Sequence, residues 1–236
     1  MGIEDLTEVE VLYGIFNFLF VSLLISIGIR IIIKYFSLKR KEFFFVGLTL
    51  IFFTSAYWSV FINFLLIIFF DLKLLPPISI FIENAFVPFS VICWSYAFGE
   101  LVYPNYKKTF ITLTLSFCIP YEVFLIIFTI INPDVIAIQV STFYTQHGPI
   151  PTIFNISLII VSFITVTIFT HVSMKSDNRI IRLRGKLLLI GVLLIGTGMI
   201  LDTIVLISLL TLSLTRIIFI AGAILYYFGF FYSEKA

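Results

Sequence analysis

Seven long apolar runs, at 9–34, 43–70, 78–103, 109–131, 150–174, 186–210 and 214–231, constrain this chain more than any other feature in it. A helix rises about 1.5 Å per residue, so about 20 apolar residues cross the roughly 30 Å hydrocarbon core of a bilayer. The runs are continuous, whereas strands of a membrane barrel alternate over about ten residues. The expected fold is therefore all-α, a polytopic membrane bundle of seven transmembrane helices. Residues 1–236 form a single domain of this kind, multi-pass in the cell membrane. With 61% hydrophobic and 12% charged residues, the chain has no stretch polar enough for a soluble domain of useful size. Its acidic start, MGIEDLTEVE, lacks the basic flank of a cleaved signal peptide, so the first span is expected to remain.

Lys and Arg are unevenly shared between the connections. Only Lys73 and Arg216 fall on one side, while Arg30, Lys34, Lys39–Lys41, Lys107, Lys108 and the cluster at 175–186 fall on the other. The positive-inside rule makes the basic side cytoplasmic, which puts the N-terminus outside and the C-terminus in the cytoplasm. A net charge of +2 is too small for a nucleic-acid partner. The expected partners are the lipid bilayer, anionic lipid at the basic loops, and a membrane or cytoplasmic protein.

Polar residues inside the spans point to a site. Asn17, Asn63, Glu83, Asn84, Glu122, Asn155 and Asp202 all fall within roughly 6 to 15 Å of the outer boundary of their helices. A single Asn at such a depth is explained by an interhelical hydrogen bond, worth about 0.6 kcal/mol on average. The three carboxylates cost more to insert and need neighbours or a watery cavity. The expected ligand-binding set is Glu83, Asn84, Trp94, Glu122, Asp202, Asn63, Asn155 and Arg216. Trp94 shares a helical stripe with Glu83, and Arg216 is the cation nearest the outer carboxylates. Gly191 and Gly198 align with Asp202, a small-residue stripe expected to pack closely on Gly222 and Ala223.

The outer connection 132–149 is long, carries no Lys or Arg, is flanked by Pro133, Pro149 and Pro151, and could fold over the bundle. Alternation at 135–140 suits a short strand. No C-x-x-C or H-E-x-x-H spacing occurs, and His147 and His171 belong to opposite sides, so neither a metal nor a cofactor is expected. Nothing in the sequence supports enzymatic chemistry.

The inner loop entering the sixth span reads Arg182-Leu183-Arg184-Gly185-Lys186-Leu187-Leu188-Leu189-Ile190-Gly191. With seven spans and an outer N-terminus, it resembles the seven-helix N-terminal sensor modules of prokaryotic histidine kinases. The resemblance covers topology and this one loop, and transfers no ligand residue. Such modules precede a cytoplasmic output domain, whereas this chain ends at Ser233-Glu234-Lys235-Ala236, so a sensing role implies output through a partner. The reading is a non-enzymatic receptor-like or accessory membrane module whose outward-facing polar pocket binds a small or cationic ligand. A transporter or proton/cation pathway through the carboxylates, and a structural subunit of a membrane complex, are the alternatives.

Overall fold

The computed structural model describes residues 2–204 and 209–231, with the side chains at 202–204 and 209–213 outside the description. The described residues are all-α, with seven helical spans long and apolar enough to cross a membrane. The first is α1, Glu8–Leu38, opened by a capping box in which Thr7 Oγ1 accepts from the Glu10 N–H and the Glu10 carboxylate accepts from the Thr7 N–H. It ends at Lys39 in the left-handed region, φ 55°.

The second and third spans are each in two pieces, α2 Lys41–Phe53 with α3 Trp58–Phe70, and α4 Pro76–Ala85 with α5 Val87–Val102. This corrects the expectation of one unbroken helix in each. Between α4 and α5, Pro88 has no N–H to offer the Asn84 carbonyl, and the ladder is interrupted at Phe86. Between α2 and α3 the chain tightens into a 3-10 turn at Thr54–Tyr57. There Thr54 Oγ1 donates to the Ile51 carbonyl at 2.7 Å and accepts from Trp58 Nε1 at 2.9 Å. The Tyr57 carbonyl takes a 3.0 Å bond from Asn17 Nδ2 of α1. A polar residue on one span thus satisfies the irregular backbone of another, as broken helices in lipid require.

The remaining helices are α6 Lys107–Ile131, α7 Pro149–Met174, α8 Arg179–Ile204 and α9 Leu209–Phe231. Six spans close a ring: α1 packs on α2, α3 and α9, α5 packs on α2 and α7, and α8 joins α7 to α9. The fourth span, α6, stands outside this ring and lies along α4 and α5. Two glycine pairs bring the backbones of neighbouring helices close together. A methyl at Gly222 would meet the Gly191 carbonyl oxygen at 2.8 Å, and one at Gly47 would meet the Gly28 carbonyl oxygen at 2.6 Å. The small-residue stripe on α8 therefore faces Gly222, as expected.

The core is aromatic, with Phe20 stacked on Phe219 at 4.8 Å and edge-on to Tyr57 at 5.5 Å. At one end of the bundle Arg30 donates to the Tyr227 hydroxyl and Lys34 to the Phe230 carbonyl, tying α1 to α9. At the other end the 132–149 connection folds back over the helices. It pairs β1, Ala137–Gln139, with antiparallel β2, Thr145–His147. Ile136 and Ala137 are fully buried against Ile80 and Leu125, and Phe143 packs into Val60, Phe64 and Ile67. The hairpin is a packed cover.

Candidate functional site

Beneath that cover, inside the ring, lies a cavity of about 430 Å³, within the range of small-molecule sites. Five ring positions contribute to its wall: Tyr13 from α1, Tyr57 and Val60 from the second span, Glu83 and Ser90 from the third, Asn155 and Ser162 from α7, and Met199 from α8. The hairpin supplies Phe143, Tyr144, Thr145, Gln146 and His147. Apolar wall predominates, with polar groups concentrated near the hairpin.

The charged centre is a pair. Glu83, on the last turn of α4, places Oε1 3.2 Å from Nε2 of His147 on β2, so the cover is held to the bundle by an acid and an imidazole. Their side chains are 14% and 26% exposed, so water screens the pair weakly. Burial disfavours a charged imidazole, but the hydrogen bond and the charge of Glu83 more than offset it, and the His147 pKa lies above its ordinary value. The second imidazole nitrogen, Nδ1, is buried with no hydrogen-bond partner among the described residues.

Of the residues expected to form the site, Glu83 and Asn155 line this cavity. Asn84 follows Glu83 by about 100° around the helix and turns the other way: its Oδ1 accepts from the Tyr121 hydroxyl at 3.1 Å and its Nδ2 donates to the Ile80 carbonyl. Asn63 is spent on its own span's exit, accepting from the Leu74 N–H at 2.7 Å and donating to Ser79 Oγ at 3.0 Å. Trp94 donates to Thr165 Oγ1 at 2.7 Å and packs on Phe98 and Phe169 in the core. Glu122 belongs to α6, outside the ring, and is not in the cavity wall. Its Oε1 is buried without a hydrogen-bond partner among the described residues.

Arg216 is fully buried, its guanidinium carbon 4.8 Å from the Tyr13 ring centre, 5.1 Å from Tyr57 and 5.2 Å from Phe219. It stands behind the two tyrosines of the cavity wall, and cation–π attraction helps hold it there. The side chain of Asp202 lies outside the described residues.

Sequence reasoning missed His147, Tyr13 and Tyr144 as wall residues. The only signal for His147 was that its loop is long and proline-flanked; nothing in the sequence links it to Glu83. Among the described residues no cluster of three His, Cys, Asp or Glu could hold a metal ion. No protein-family model, curated protein or solved structure matches this chain.

Proposed function

We propose that the protein is a receptor-like or accessory membrane module that holds a small, largely apolar molecule in the cavity beneath the hairpin. The observation that carries this reading is the position of the cavity: five of the seven spans and the cover all contribute wall. A ligand there touches elements far apart in sequence, so it can bias how they pack. Charge supports an orientation with the N-terminus and hairpin outside and the basic end cytoplasmic, where anionic lipid or a protein partner would meet it.

Binding is favoured over conduction by what lies around the cavity. Phe20, Trp94, Phe98, Phe219 and Tyr226 form a close-packed apolar core. A proton or cation path needs successive polar stations, and Glu122 is outside the ring.

The test uses the full chain in nanodiscs and a panel of small amphipathic amines, alcohols and acids. A ligand present at 100 times its Kd stabilises the folded state by about 2.7 kcal/mol, a readily measured rise in Tm. At least one compound should stabilise the wild type and leave Asn155→Phe, whose ring fills the cavity, unchanged. Equal responses from the two proteins across the panel would defeat the reading.

A further inference from the structure

We infer that the cavity selects an organic ammonium ion, which Glu83 takes up in exchange for the proton on His147. This rests on the reading of the cavity as a ligand site and names the ligand class.

The charge inventory of the wall points one way. Among the described residues Glu83 is the only carboxylate in the wall, and neither Lys nor Arg lines it. The titratable groups that line the cavity with the pair are Tyr13 from α1, Tyr57 from the second span and Tyr144 from the hairpin, and Tyr121 of α6 feels the charge of Glu83 from outside the cavity. Among the described residues the neighbouring α7 and α8 present Thr152, Asn155, Ser162 and Met199, none of them charged. The nearest guanidinium, Arg216, is fully buried behind Tyr13 and Tyr57. An anion entering the cavity would therefore meet Glu83 with no cation in the wall except a protonated His147.

The apolar wall suits a cation as well. Tyr13, Phe53, Tyr57, Phe143, Tyr144 and Phe163 reach it from separate elements, and the faces of such rings attract ammonium groups. His147 is a replaceable counter-ion. An imidazolium has two N–H donors to satisfy, yet only Nε2 meets an acceptor and Nδ1 is buried with none among the described residues. Once His147 releases its proton to water, neutral imidazole can still donate from Nε2 to Glu83, while the carboxylate's charge is left for the incoming cation. One proton leaves for each cation bound, so charge balances. Glu83 holds the His147 pKa above the ordinary imidazole value, so the cation competes with a proton that the pair itself retains.

Two isosteric probes test it, choline and its neutral carbon analogue 3,3-dimethylbutan-1-ol, titrated calorimetrically into the full chain in nanodiscs between about pH 5 and 8. Choline should bind the more tightly, and its affinity should rise up to about tenfold per pH unit until His147 is deprotonated, then level off. Glu83→Gln should abolish the preference for choline, His147→Gln should keep it and remove the pH dependence, and Glu122→Gln should change neither. If the alcohol binds as tightly as choline, or choline binding is independent of pH, the ammonium exchange is overturned while the cavity reading stands. If neither probe binds, the exchange is overturned, and the nanodisc panel separately decides the cavity reading.

Discussion

Asn63→Ala should destabilise the bundle by about 2 kcal/mol, because this amide fastens the exit of the second span to the start of the third. The side chain is 2% exposed and makes two bonds, accepting from the Leu74 N–H at 2.7 Å and donating to Ser79 Oγ at 3.0 Å. The side-chain bond contributes about 0.6 kcal/mol, the average for such pairs in membrane bundles. The Leu74 N–H has no other route within the helices, and stranding a partly buried donor costs about 1 to 1.5 kcal/mol. Ser79→Ala removes only the weaker bond and should cost about 0.6 kcal/mol. Unfolding of both variants and of the double mutant in mixed micelles separates the terms, the double mutant losing less than the sum. If Asn63→Ala proves no more costly than Ser79→Ala, the Leu74 bond contributes nothing and the reasoning fails.

Four further outcomes are expected. Gly222→Leu should cost at least about 1 to 3 kcal/mol, because its Cβ alone would lie 2.8 Å from the Gly191 carbonyl oxygen and a backbone cannot swing away; unchanged unfolding in the same micelles would refute it. The charge of the His147–Glu83 pair tightens the cover fully below the unfolded pKa of about 6.5, and this added hold is lost as pH rises through the higher folded value, leaving only the neutral hydrogen bond. A cysteine at Gln146, with the native cysteines replaced, should therefore gain reactivity over that range relative to the same cysteine in a Glu83→Gln background, and a constant ratio would contradict the latch. Trp94→Phe loses the bond to Thr165 and should cost about 0.6 kcal/mol while leaving cavity binding intact, as ligand titration would report. Cysteines at Thr7 and Ser233 should react with an impermeant reagent from outside and inside respectively; labelling from one side would overturn the orientation.

Seven helical spans were legible because a bilayer makes span length a one-dimensional property, and each apolar run alone is long enough to cross. The same logic made visible the short strand within 135–140, from its alternation, and the stripe through Gly191, from its spacing. Depth along a helix could be counted, and it correctly put Glu83 and Asn155 near a common level. Neighbour order around the bundle could not be counted, since it depends on how all the spans pack at once. Only the tertiary structure decided that α6 stands outside the ring, which removes Glu122 from the cavity, and that Asn84 meets Tyr121 of α6 while Glu83 lines the cavity. It also decided that α2 and α3 meet at a turn whose Tyr57 carbonyl is satisfied from α1 by Asn17. The pairing of Glu83 with His147 belongs to the same class: a loop residue finds a helix residue because buried Ile136, Ala137 and Phe143 dock the hairpin, a contact that no local pattern encodes.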